Sequence, residues 1–409
     1  MINFVEFAAE SSCGVVLATL FLYTKSLGGD LAFMGMLTSL FSVGRLISST
    51  AFGWMCDHYS FCSVYIVSSV ICLVGNLIYV FADQHVTGSL TALAVSRFVV
   101  GFGAGNRSVC RADVASITTI NQRLTYLTML ATVVFFGYAL TPGLGSLVAN
   151  TDLYILGIHL NKFTSPGMIL VVFNLLTIAG MMTLYDGSIQ TRDGPSVSSP
   201  DATTNRTLSN MTTMPDHVVN IGAVVFIFLN FNARGILSVF ETRGCRGGCI
   251  QLPVLLGLLG LLSYFSIETF RHSLSDVNWV QLGFLMLLAG NLILVVVSVA
   301  LSFLHLAVAE FLVWSVGCPI TTAVVVAAFS KLLSGRPQGT PMGLLGSAAS
   351  VSLIVLPLLP AAIPTLTLVF WINMAQIRRI SRLSKAWQLC SLSILDQQTT
   401  RIVCISLKL

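Results

Sequence analysis

Apolar runs about as long as a bilayer crossing recur along the chain, separated by short polar breaks. A helix needs about 20 apolar residues to cross the hydrocarbon core of a membrane. Such runs fall near residues 4–24, 32–54, 61–82, 88–109, 124–148 and 167–185, then near 218–240, 250–267, 279–303, 306–330 and 341–363. A weaker apolar piece covers 364–377. A membrane β-strand shows alternation over about ten residues. Stretches such as 292–304 do not alternate, so the spans are helical. The pattern predicts an all-α polytopic membrane protein: a six-helix half over 1–185, a linker over 186–217, a five- or six-helix half over 218–377 and a basic polar tail over 378–409.

Composition agrees. Hydrophobic residues make up 55% and charged residues 9%, with a mean hydropathy of +0.87. A soluble domain carries about 25% charged residues, and disorder goes with low hydrophobicity and high charge, so both classes are excluded. The formal charge is only +5, and no basic cluster is interleaved with aromatics, which argues against nucleic acid as a partner. The ten cysteines are scattered and show no zinc spacing; Cys245 and Cys249 make the one close pair, read as free thiols or a local disulfide rather than half a metal site. No metal or other cofactor is expected. The first apolar run lacks a basic leader and carries Glu6 and Glu10, so it reads as a first span rather than a signal peptide.

The linker is dominated by Ser, Thr, Asn, Asp and Pro, too polar to offset its ordering entropy, and is expected to be flexible. Asn205 and Asn210 open glycosylation sequons there. With the amino terminus inside, the cytoplasmic connections hold Arg107, Arg111, Arg123, Arg192, Arg206, Arg271, Lys331 and Arg336, and the outer ones only Lys25, Lys162, Arg243 and Arg246. The tail adds more basic residues on the inner side. The positive-inside rule then places both termini and the linker in the cytoplasm, with the sequons unmodified.

The two halves resemble each other. Ala92–Ala104 and His305–Gly317 match at five of thirteen positions at an offset of 213. Pro142 aligns with Pro357 at 215, and Gln122 with Gln338 at 216. Spans four and five therefore correspond to ten and eleven. Two parallel halves with a site between them is a transporter layout.

Several motifs resemble those of the major facilitator superfamily. Arg97 with Gly101, Gly103 and Gly105 is similar to its span-four signature, and Gly137 to Gly145, with Pro142, to its Gly-Pro motif in span five. Gly53 and Asp57 look like its loop motif between spans two and three, but the basic residues that normally follow are replaced by His58, Tyr59, Ser60 and Phe61. Arg97–Ser116, with Asn106, Arg107 and Arg111, and Arg336–Ser350 resemble the lysosomal ceroid-lipofuscinosis type-7 proteins and their plant relatives with an SPX domain, although no SPX-like region is present. The resemblance implies two six-helix halves, alternating access, a small-molecule or ion substrate, a monomer in the lipid bilayer and a lysosomal or vacuolar membrane. Two places depart from it: Arg243–Cys249, and the loss of hydrophobicity from Asn373 onward, where the expected helix twelve reads as truncated or degenerate.

Ionisable groups at membrane depth default to functional hypotheses. Glu6, Glu10, Arg45, Arg97, Arg234, Glu241 and Glu310 stand out. Asn230, Arg234 and Glu241 share one face of span seven. Arg97 and Glu310 are repeat equivalents. The resemblance places spans one, four, seven and ten around a central cavity, and all of these charges except Arg45 fall on them. They either attract an anion and carry protons, with Arg97, Arg234, Glu241, Glu310, Glu10 and Asn230 on the pathway, or pair with one another and hold helices in register. Gly53, Asp57, Gly101, Gly103, Gly105, Pro142 and Gly145 read as conformational: glycines for close helix approach, and Pro142 as a kink. No catalytic constellation or nucleotide-binding loop is present, so an enzyme or an ATP-driven pump is not expected. The alternatives to a secondary transporter are an anion channel of the same fold and a non-transporting sensor or scaffold.

Overall fold

The computed structural model describes residues 1–83, 87–147, 153–155, 158–186, 216–244, 251–271, 273–296 and 303–356. Residues 187–215 of the expected linker, with Asn205 and Asn210, the pair Cys245 and Cys249, Pro357, the helix-twelve region and the tail lie outside the described residues, and α-helix resumes at Asp216, inside the expected linker.

The helices are α1 (Ile2–Ser26), α2 (Leu31–His58), α3 (Phe61–Phe81), α4 (Leu90–Gly103), α5 (Arg107–Ile117), α6 (Arg123–Leu147), α7 (Ser165–Leu184), α8 (Asp216–Gly244), α9 (Gln251–Thr269), α10 (Asp276–Val296), α11 (Phe303–Glu310), α12 (Cys318–Leu332) and α13 (Gly339–Val355). A 3-10 turn, Ala104–Asn106, joins α4 to α5, and a π-helical segment, Phe311–Gly317, joins α11 to α12. Two short strands, β1 (Leu153–Ile155) and β2 (Ile158–Leu160), pair antiparallel between α6 and α7. Among the described residues, six segments, within α2, α3, α7, α8, α10 and the α11–α12 run, have the length and apolar composition to cross a membrane.

The starts of these helices follow local chemistry. The Asp30 side chain accepts from Phe33 N at 2.8 Å to open α2, Ser60 from Ser63 N to open α3, and Ser89 from Ala92 N to open α4. Within the spans, polar side chains satisfy themselves on the preceding turn. Asn76, Asn174 and Asn291 each donate to the carbonyl four residues back, as do the hydroxyls of Ser12 and Thr24. These side chains need no partner elsewhere in an apolar surround.

The repeat has a structural counterpart. Leu90 and Phe303, 213 residues apart, are the first residues of α4 and α11. Gln122 and Gln338 each precede the first residue of the next helix, α6 and α13. In both equivalent spans the α-helix is interrupted near its middle, tightened at 104–106 and widened at 311–317. The wider turn is supported from α9: Ser263 Oγ donates to Ser315 O at 2.6 Å, and Ser315 Oγ returns a bond to Leu256 O at 2.8 Å.

Span four differs from the expectation. The pattern ends it at 109, whereas the continuous helical run reaches Ile117. Arg107 and Arg111 are therefore buried helical residues, 7% and 8% exposed, and not part of a cytoplasmic connection. The charge drop at Arg107 ends the apolar run, but packing continues the helix. Removing both from the orientation count leaves six inner against four outer residues before the tail, the same direction with a smaller margin.

The most extensive helix pairing joins α2 to α13. A Cβ at Gly53 would strike the Gly339 carbonyl and Gly343 Cα, so these helices touch backbone to backbone. Likewise a Cβ on Gly101 would run into the Phe41 carbonyl, and one on Gly44 into Phe98 O and Phe102 N. That crossing seats α2 against α4, beside Arg45.

Candidate functional site

Two i,i+4 pairs face each other inside the bundle. Glu6 and Glu10 lie one turn apart on α1; Arg107 and Arg111 lie one turn apart on α5. Arg107 Nη1 reaches Glu10 Oε1 at 2.9 Å, and Arg107 Nε reaches Glu6 Oε1 at 3.3 Å. Arg45 on α2 approaches the same Glu10 oxygen at 3.1 Å. Glu6 is 0% and Glu10 2% exposed, so the cluster is sealed within the protein. Breaking a buried ion pair leaves an uncompensated charge, at a cost of about 3–5 kcal/mol, so the set holds α1, α2 and α5 in one register. Arg45, the one of these charges off spans one, four, seven and ten, pairs with Glu10 of α1.

Arg111 is as buried as Arg107 but makes no hydrogen bond or ion pair among the described residues. Arg234 on α8, the helix that follows the linker, is half-buried and makes no hydrogen bond or ion pair among the described residues. On α1, α2 and α5, three guanidinium groups, those of Arg45, Arg107 and Arg111, accompany two carboxylates.

The remaining expected residues take different positions. Arg97 is 1% exposed, with Nη1 3.5 Å from the Ser12 carbonyl and the guanidinium 4.7 Å from the Phe41 ring centre. Asn230 donates to Leu345 O at 2.9 Å, tying α8 to α13. Glu310 closes α11 just before the π segment, half-buried and without an ion pair or hydrogen bond among the described residues. It lies one turn from Trp314, whose ring packs 5.1 Å from that of Phe135 on α6. The helix α6 runs unbroken past Pro142 and Gly145; their side chains and that of Glu241 lie outside the described residues. Gly103 packs on Cys72 of α3, and Gly105 on Ser48 of α2.

Asp57 acts at the end of the bundle that carries the α2–α3 and α12–α13 connections. Its carboxylate accepts from Gly339 N at 2.8 Å and from Thr340 N at 2.7 Å. The residue that should cap α13, Gln338, instead donates to the Ser330 and Leu333 carbonyls. Asp57 thus fills a vacant cap on another helix, where the exposed N–H groups and the dipole favour an anion. Arg123 mirrors it, donating from Nη1 to Ser330 O at 2.8 Å in the last turn of α12. The basic residues missing after Asp57 are not needed for this latch, because its partners are two backbone donors and the Thr340 hydroxyl.

Sequence reasoning assigned Arg107 and Arg111 to topology. The signal that finds them is their four-residue spacing, matched by Glu6 and Glu10. It also passed over Asp113, 1% exposed, which accepts from the Tyr65 hydroxyl at 3.1 Å and the Tyr185 hydroxyl at 2.9 Å. No group of three or more His, Cys, Asp or Glu positioned for a metal occurs among the described residues.

Comparison with known proteins agrees with this architecture. The family described as Major Facilitator Superfamily matches residues 1–357. A "Major facilitator superfamily domain-containing protein 8" from Xenopus laevis is 23% identical over 246 residues, covering 58% of this chain and 48% of the relative, so the chain matches about half that protein's length. The proton:xylose symporter XylE superposes with a TM-score of 0.72 at 12% identity, covering 93% of this chain and 92% of the other. The human organic anion transporter MFSD10 (TETRAN) superposes with a TM-score of 0.64 at 18% identity, covering 95% and 96%. With the family matched over most of its length and the same fold in these transporters, the chain belongs to the major facilitator superfamily of membrane transporters.

Proposed function

We propose that this protein is a secondary transporter that carries a small anion together with protons by alternating access. The observation that carries the reading is the buried cluster in which Arg45, Arg107 and Arg111 outnumber Glu6 and Glu10. Arginine stays charged in a protein, so this site keeps a positive surplus and attracts anions. Arg234, half-buried on α8, is the contact residue. Arg97, packed on Ser12 and Phe41, serves helix packing. Glu310 is the proton carrier, one turn from the Trp314–Phe135 contact, with Glu241 as the second candidate on α8. Asn230 positions α8 through Leu345. The halves at 1–185 and 218–377 rock about the site, the linker and both termini face the cytoplasm, and the protein works as a monomer in a lysosomal or vacuolar membrane.

The test is flux in proteoliposomes across a solute panel, with and without a pH gradient. Saturable anion uptake with counterflow, accelerated by an inward proton gradient, is the expected result. Currents far above carrier rates mean a channel instead, and flux of no solute removes the transport reading.

A further inference from the structure

We propose that the solute carried by this protein bears a planar apolar ring, seated between Tyr264 and Trp314 in the place that Phe135 fills in this structure. The inference rests on the alternating-access reading above and narrows it to a class of solute. Phe135 stands on α6, before the linker. Its ring centre lies 5.7 Å from that of Tyr264 on α9, at 66°, and 5.1 Å from that of Trp314 in the π segment, at 51°. Gly260, one turn before Tyr264, completes the notch: a Cβ there would strike Cζ and Cε1 of Phe135, the far edge of the ring. Three residues that follow the linker thus form a seat fitted to a six-membered ring, and the ring in it comes from the helix that precedes the linker. Phe135 is 9% and Tyr264 5% exposed, while Trp314 is half-buried.

The seat is built without Phe135. The reciprocal bonds of Ser263 to Ser315 O and of Ser315 to Leu256 O tie α9 to the π segment, so the residues that carry its two aromatic walls are joined to each other. A π-helical turn in an α-helix is rare and occurs mostly at functional sites. The end of the bundle where α6 begins is shut by Thr125 Oγ1 on Glu268 Oε1 at 3.4 Å and by Arg123 Nη1 on Ser330 O at 2.8 Å. Opening that end to release a solute draws α6 away from α9 and α12, and Phe135 leaves with it. The Tyr264 and Trp314 faces then meet water, which costs their buried apolar area. A ring on the solute takes the vacated place and restores the tilted aromatic contacts, which are worth more than their area alone. A solute without a ring leaves the seat wet. The contact that closes the bundle here is therefore also the template for what passes through it.

The experiment uses the full chain in proteoliposomes, with labelled benzenesulfonate, cyclohexanesulfonate and methanesulfonate. All three carry one permanent charge on the same group, so they differ only in what enters the seat. Saturable counterflow of benzenesulfonate at least about tenfold above that of methanesulfonate is expected, with cyclohexanesulfonate in between because a puckered ring is thicker. Phenyltrimethylammonium and tetramethylammonium repeat the comparison with the opposite sign. Gly260→Ala fills the floor of the seat and Trp314→Ala removes a wall. Each should lower the ratio of benzenesulfonate to methanesulfonate uptake about tenfold, and Trp314→Phe should keep most of it. No preference for the ringed probe at either sign overturns the ring seat and leaves the transport reading intact. So does a ratio unchanged in both Gly260→Ala and Trp314→Ala. Cyclohexanesulfonate level with benzenesulfonate overturns the requirement for a planar ring. A ring preference among the cations alone supports the seat and overturns the anion reading, and flux of no solute overturns both.

Discussion

The carboxylate of Asp57 accepts from both the backbone N–H and the hydroxyl of Thr340, at 2.7 and 2.6 Å, across 283 positions of sequence. Asp57 sits in the last turn of α2, where the dipole of its own helix disfavours a negative charge. At the start of α13 the same charge is favoured. Asp57→Asn keeps one acceptor but loses the charge, so this end of the α2–α13 pair should weaken by about 1 kcal/mol. Cysteine labelling inside the cavity from this end should accelerate relative to the parent protein. Unchanged labelling means that the Gly53–Gly339 packing holds the end closed by itself.

Arg107 is the hub of the charge cluster. Arg107→Gln leaves Glu6 without its ion pair and Glu10 with Arg45 alone, and should cost about 3–5 kcal/mol, seen as a lower melting temperature in detergent. Adding Glu6→Gln to the same protein should recover part of that loss, because Glu10 keeps Arg45 and Glu6 no longer carries a charge. A double variant less stable than the single one means that Glu6 contributes more than charge compensation.

Glu310→Gln mimics the protonated carboxyl. It should abolish uphill uptake driven by a pH gradient while sparing exchange at equal pH on both sides. If Glu310→Gln and Glu241→Gln each still concentrate substrate under that gradient, neither residue carries the proton.

Pro142 removes one backbone donor from α6. Pro142→Ala should insert normally and slow transport, because an added hydrogen bond stiffens a helix that must bend during rocking. Initial uptake rates at matched protein density measure it, and a wild-type rate sinks the hinge idea.

Asn205 and Asn210 report orientation. With the linker in the cytoplasm neither is glycosylated, so glycosidase treatment of protein expressed in a eukaryotic cell should leave its mobility unchanged. A mobility shift lost in Asn205→Gln or Asn210→Gln inverts the topology.

The helical class, the span positions and the repeat are legible in the chain because each depends on local properties. Span length follows from the run of apolar residues, and the Leu90–Phe303 and Gln122–Gln338 offsets survive in the helix starts. The close-packing role of Gly101 and Gly53 is legible for the same reason, since a missing side chain shows in any sequence. Pairing is not local. Hydropathy ends span four near Arg107, and only the carboxylates of α1, brought in by the fold, make a buried arginine tolerable there and let the helix run on to Ile117. Which backbone amides Asp57 caps, and that Arg97 rests on Phe41 while Arg107 bridges Glu6 and Glu10, depends on contacts between residues far apart in the chain. Electrostatic compensation in a low-dielectric interior acts through space, so tertiary structure alone decides which charges neutralise one another.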